Sequence, residues 1–140
     1  MLVLDTSGLL AAIDPDQPQH KEARETLLSE RGPLLLSPYV LAETDYMIVK
    51  LAGVRREMLF LNDVSSGTYD MVPMTTDDVR RAVTIVDRYR DMAIGLTDAS
   101  VVLVAARYAT TRVLTLDHRH FRAMKPLWGD AFTVLPADAD

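Results

Sequence analysis

The chain has 140 residues, a length for one domain over 1–140, and 49% of them are hydrophobic. It has no cysteine, which excludes disulfides, thiolate zinc sites and cysteine nucleophiles and fits a reducing cytoplasmic setting. No apolar run approaches the roughly 18 residues of a membrane span and no signal peptide is recognisable, so no membrane partner is expected, while a net charge of −5 weighs against nucleic acid unless bases gather beside an acidic site.

In chain order, Leu2-Val3-Leu4 reads as a short buried strand. Asp5-Thr6-Ser7-Gly8 turns into an apolar helix that runs to Asp14, and Pro15 and Pro18 end it. His20 to Arg31 is an amphipathic helix with Ala23, Leu27 and Leu28 on one face. Leu34-Leu35-Leu36 is a second strand. Ser37-Pro38 supplies an N-cap and a first-turn proline for a helix that stops at Gly53. Val54 to Ser65 is helical, Tyr69 to Met74 a strand, and Thr76 to about Arg90 a helix. Gly95 precedes the most apolar helix, Thr97 to Tyr108. Arg112 to Leu116 is a strand, His120 to Lys125 a short basic helix or turn, and Phe132 to Leu135 the last strand.

Strands alternating with helices predict an α/β fold with a central, mainly parallel sheet flanked by helices. In such sheets ligands bind beyond the carboxyl ends of the strands. Asp5 and Asp117 each follow a predicted strand there. Each acid alone has a structural explanation. Asp5 and Asp117 can cap the helices that follow them, and Asp98 can oppose the dipole of its helix. Glu43 lies well inside a helix, with Tyr39, Val40, Tyr46 and Met47 three and four residues away, so a carboxylate there needs a partner. Asp45, among Leu41, Ala42, Ile48 and Val49, competes with it for the same role, and periodicity does not choose between them.

Carboxylates gathered in one pocket repel, which raises the pKa of at least one, and a divalent cation relieves the repulsion. Mg²⁺ suits a few carboxylates with water and phosphate oxygens. The sequence has no nucleotide-binding glycine loop and no serine nucleophile elbow, and His20, His118 and His120 do not form a zinc set. The tyrosines read as packing residues. The run His118, Arg119, His120, Arg122 and Lys125 is either a solvated face or a clamp for an RNA backbone, and Arg80, Arg81, Arg88 and Arg90 either extend it or solubilise their helix.

The segments Leu2-Val3-Leu4-Asp5-Thr6-Ser7, Val40-Leu41-Ala42-Glu43, Leu96-Thr97-Asp98-Ala99-Ser100 and Leu114-Thr115-Leu116-Asp117 resemble, in order, the four motifs of PIN-domain nucleases. Ser37-Pro38-Tyr39 and Thr115-Leu116-Asp117-His118-Arg119-His120-Phe121 are similar to VapC toxins of bacterial toxin–antitoxin pairs. The resemblance implies a PIN-like three-layer fold and favours Glu43 over Asp45. It implies a Mg²⁺-dependent endoribonuclease, Mn²⁺ substituting, with Asp5, Glu43, Asp98 and Asp117 as catalytic acids. Asp5 and Asp98 would bind the metal most directly, and Glu43 and Asp117 directly or through water. Thr6 and Thr97 would orient those ligands, and Arg119, His120, Arg122 and Lys125 would hold RNA. It also implies a homodimer, a VapB-type antitoxin and a structured RNA substrate, either tRNA or the sarcin–ricin loop of rRNA. The alternatives are a housekeeping PIN nuclease in RNA processing and a non-catalytic RNA- or protein-binding PIN module.

Overall fold

The computed structural model describes residues 1–140. Its five strands are β1 (Leu2–Leu4), β2 (Leu34–Leu36), β3 (Asp70–Met71), β4 (Arg112–Leu114) and β5 (Thr133–Leu135). They form one sheet in the order β3-β2-β1-β4-β5, and every pairing is parallel. The helices are α1 (Thr6–Ile13), α2 (His20–Ser29), α3 (Pro38–Ala52), α4 (Val54–Ser65), α5 (Thr76–Arg88), α6 (Leu96–Arg107) and α7 (His118–Ala123), with a 3₁₀ turn at Arg90–Met92.

The strands lack apolar–polar alternation because helices cover both faces of the sheet. Leu2, Val3, Leu4, Leu35, Leu36, Val113, Leu114 and Val134 are all fully buried. α1 packs on α2 and α3, α3 on α4 and α6, and α5 on α6. Helix α6 is buried without interruption from Ala99 to Ala105, which explains its apolar composition. Its N-terminus, carrying Thr97 and Asp98, is the part that reaches the cleft.

Several predicted bounds shorten. The third strand keeps only Asp70–Met71: Val72 still donates to the Leu36 carbonyl, but Pro73 has no N–H to continue the ladder. α5 ends at Arg88 and gives way to the 3₁₀ turn. β4 ends at Leu114, two residues earlier than expected, so Thr115 and Leu116 stand between the strand and Asp117. Leu28 is 67% exposed and lies off the buried face of α2, and Tyr46, expected to pack, is 65% exposed.

The strand order reverses between β1 and β4, which leaves a crevice at their carboxyl ends. The first turn of α1 is pulled against it. Asp5 N–H donates to the Leu114 carbonyl at 3.0 Å, and the Ser7 hydroxyl accepts from Leu116 N–H at 2.9 Å. Only glycine permits this approach at position 8. A Cβ there would lie 2.3 Å from the Leu114 carbonyl oxygen and 2.7 Å from the Thr115 nitrogen, both backbone atoms. In an exposed helix, glycine to alanine stabilises by about 1 kcal/mol. Gly8→Ala is expected to do the reverse, destabilising by about 1–3 kcal/mol through overpacking. Urea unfolding checks this, and a stabilised variant would contradict the packing described.

Candidate metal centre

Asp5 occupies the N-cap position of α1, yet its side chain makes no capping hydrogen bond. Its Oδ2 instead accepts from the Thr115 hydroxyl at 2.7 Å and from the Ser7 hydroxyl at 3.3 Å. Thr115 Oγ1 also accepts from Asp117 N–H at 2.9 Å and lies 3.1 Å from Ser7 Oγ. Two hydroxyls therefore bind the acid after β1 to the chain after β4. Neither Ser7 nor Thr115 was among the expected site residues. For Thr115 the available signal was its spacing, two residues before a motif acid, which on extended chain means the same side; Ser7 lies on the first turn of α1 and had no such signal.

Asp117 does serve as a cap: its Oδ1 accepts from His120 N–H at 3.1 Å at the start of α7. Its other oxygen is turned toward the cleft, 2.8 Å from His120 Nδ1. Asp98, in the first turn of α6, points its Oδ2 to within 3.1 Å of the same nitrogen. Glu43 comes from α3, and the Thr97 hydroxyl donates to its Oε2 at 3.1 Å. Glu43 is exposed, so the expected burial of a lone charge does not apply to it. Asp45 is directed elsewhere, toward Glu57 of α4, whose pKa it raises.

Asp5, Glu43, Asp98 and Asp117 line one cleft of about 570 Å³, together with Thr6, Ser7, Leu10, Met47, Gly95, Leu96 and Thr97. No lysine or arginine lines it. Thr6 Oγ1 is buried there without a hydrogen-bond partner. The expected basic clamp is divided. Arg119 and Lys125 are exposed, but His120 turns inward and Arg122 forms a bidentate pair with Asp138. Arg80 and Arg81 pair with Asp77, and Arg90 with Asp87, so these arginines are engaged on their own segments.

The electrostatics follow from burial and unbalanced charge. Asp5 is pushed up to about 7, chiefly by burial, with Asp98 and Asp117 adding repulsion and the Thr115 hydroxyl opposing. Asp98 is raised too, first by burial and then by Asp117 and Glu43, against the lowering effect of His120. The expectation of a raised carboxyl holds, with desolvation ahead of repulsion as the cause.

This shift sets a stability profile for the metal-free protein. Below the ordinary carboxylate pKa of about 4, Asp5 is protonated folded and unfolded, and the shift costs nothing. From there to about 7 only the unfolded chain releases the proton, so stability falls as pH rises. Above that window the penalty is constant, of order 4 kcal/mol. Asp5→Asn retains an oxygen for Thr115 and removes the titration. In EDTA, its stability advantage over the wild type is expected to grow between pH 4.5 and 7.5 and then level off. Urea melts across that range measure it, and a gap independent of pH would contradict the buried-acid reading.

Comparison with known proteins places this geometry. The PIN-domain family model matches residues 2–126. Ribonuclease VapC26 of Mycobacterium tuberculosis is 39% identical over 135 residues, covering 96% of this chain and all of that protein. Among solved structures, M. tuberculosis VapC20, a sarcin–ricin loop cleaving toxin, matches with a TM-score of 0.77 at 20% identity, over 84% of this chain and 90% of that one. FitAcB from Neisseria gonorrhoeae matches with a TM-score of 0.59 at 16% identity, over 81% of this chain and 85% of that one. These two structures bear on the fold, and the family rests on the model match and on VapC26. The chain belongs to the PIN-domain family and, within it, to the VapC ribonucleases.

Proposed function

We propose that this chain, acting as a single PIN domain, is the toxin of a type II toxin–antitoxin pair: a Mg²⁺-dependent endoribonuclease that hydrolyses a phosphodiester of structured RNA. The observation that carries the reading is the convergence of Asp5, Glu43, Asp98 and Asp117 on one cleft that no lysine or arginine enters. The donor set fits a divalent cation, because all four acids are hard oxygen donors. A cation held there supplies a nucleophilic water at neutral pH and screens the phosphate charge.

The side chains then divide the work. Asp5 and Asp98 hold the metal most directly, Glu43 and Asp117 directly or through water. Thr97 orients Glu43, as its 3.1 Å hydrogen bond favours. Thr6 contributes a hydroxyl from within the cleft. Arg119 and Lys125 hold the RNA backbone, since neither is taken by an internal ion pair. The substrate class is tRNA or the sarcin–ricin loop of rRNA, the latter being what VapC20 cleaves. A VapB-type antitoxin blocks the site in the cytoplasm by placing a basic side chain among the acids, where a guanidinium pairs with two oxygens at once. The active unit is a homodimer, for which exposed Val79 and Val83 on α5 and Leu96 at the start of α6 offer apolar surface.

Purified protein is expected to cut structured RNA with Mg²⁺ or Mn²⁺ and to stop with EDTA. Asp98→Asn should lower cleavage roughly 100-fold or more. In the wild type, Mg²⁺ should raise the melting temperature, because it binds the folded cluster and not the open chain. The variant should be as stable as the wild type in EDTA and respond less to Mg²⁺. Sequencing RNA 5′ ends after brief induction of both proteins gives the decisive comparison. New ends in the wild type alone, with arrested growth, support the toxin. New ends without arrest favour an RNA-processing nuclease, and identical ends in both would remove catalysis from the cleft.

The basic pair is tested separately. Replacing Arg119 and Lys125 with alanine should weaken RNA binding and flatten its salt dependence by up to about one logarithmic unit per lost phosphate contact. Fluorescence anisotropy from 50 to 300 mM salt reads the slope, and an unchanged slope would leave the two residues as a solvated surface.

A further inference from the structure

His120 occupies a place that an RNA-clamping residue would not. Its ring lies between Asp98 and Asp117, with Nδ1 3.1 Å from Asp98 Oδ2 and 2.8 Å from Asp117 Oδ2. Nδ1 is buried and has no properly directed hydrogen-bond partner. The other ring nitrogen, Nε2, lies 3.1 Å from the Met92 carbonyl oxygen. A carbonyl only accepts, so the hydrogen of the neutral ring is assigned to Nε2 and a bare lone pair to Nδ1. That lone pair faces two carboxylate oxygens. Without a positive charge between them, the arrangement is repulsive.

The spacing suits either a proton on Nδ1 or a metal ion, but the proton has no properly directed acceptor. Adjacent donors on an octahedral ion with bonds of about 2.0–2.1 Å are about 2.9 Å apart. The measured separations from Nδ1, 2.8 and 3.1 Å, bracket that value. The donor atoms of Asp98, Asp117 and His120 all lie within 4.8 Å of one another. A hydrogen bond from the far ring nitrogen to a carbonyl is also the usual way a ligating imidazole is oriented.

We propose that His120 Nδ1 is a direct ligand of the metal, beside Asp98 and Asp117, and that it tilts the site toward Mn²⁺ over Mg²⁺. The inference rests on the metal-centre reading above and adds to it a nitrogen donor. Mg²⁺ favours oxygen ligands and its own water, whereas imidazole binds better to transition ions. The Met92 carbonyl, on the 3₁₀ turn before α6, becomes the support that aims the ring.

The test uses the full chain freed of metal by chelation. Pulsed EPR of Mn²⁺ bound to the wild type is expected to show coupling to one imidazole nitrogen, a measurement that needs no variant. Titration calorimetry with Mn²⁺ and with Mg²⁺ then compares the wild type, His120→Ala and Asp98→Asn. His120→Ala should lose roughly tenfold or more in Mn²⁺ affinity with a smaller change for Mg²⁺. Asp98→Asn should weaken both ions. Mn²⁺ bound without nitrogen coupling, or equal changes for the two ions in His120→Ala, would overturn the ligand assignment and leave the imidazole a charge partner of the acids. Failure of the wild type to bind either ion would overturn the metal centre itself.

Discussion

Removing the Asp5 carboxylate from water at the open end of the sheet is the constraint that the neighbouring parts satisfy. A buried carboxylate needs donors, and at this position they are Thr115, from across the sheet after β4, and Ser7, on the first turn of α1. Thr115 reaches Asp5 only because β4 pairs with β1 in the register Val3 to Val113 and Leu4 to Leu114. Ser7 also accepts from Leu116 N–H, where Gly8 lets α1 settle onto the end of β4. These donors offset part of the desolvation but do not cancel it, since the acid still titrates near neutrality. The remaining imbalance is what a cation corrects, so the fold holds its site in a state of unmet electrostatic demand.

The other acids show how little separates a structural carboxylate from a functional one. Asp117 holds the first turn of α7 with one oxygen and faces the cleft with the other. Asp98 sits where the dipole of α6 favours negative charge, and the Gly95 backbone N–H further lowers its pKa, yet burial and its neighbours raise it overall. Capping and chemistry are therefore not alternatives at these positions. A helix N-terminus provides a rigid mount for a carboxylate, and the second oxygen remains available. Glu43 is mounted differently, from the middle of α3, and depends on the Thr97 hydroxyl for its direction.

Much of this was legible because it depends on local chemistry. The apolar runs at 2–4, 34–36 and 113–114 read as strands since a sheet covered on both faces leaves no polar alternation to look for. Ser37-Pro38 announced α3, and Gly53, at a φ of 88°, ended it. What was not legible depends on how elements sit against one another. α3 buries Val40, Thr44 and Ile48, and Glu43 and Asp45 flank that stripe on either side. Only the placement of α4 beside the Asp45 flank separates them, leaving Glu43 on the cleft and Asp45 toward Glu57. In α7, six residues are too few to fix which side faces inward, so His120 read as part of a basic surface. Arg122 was withdrawn from that surface by Asp138, sixteen residues further on, through a contact that no local pattern announces.

The pairing of β1 with β4 also governs when the site can exist. Asp5 and Thr115 are 110 positions apart, and the central strand of the sheet gains its second neighbour only when β4 arrives. A domain emerging from a ribosome folds as a unit, once enough of its chain is out. For most of synthesis Asp5 has neither its hydroxyl donor nor Asp117 as a neighbour. An abortive product ending before residue 115 lacks both, whatever helices it has formed. The acidic cleft is thus assembled late in translation, and incomplete copies of the chain lack the contacts that close it.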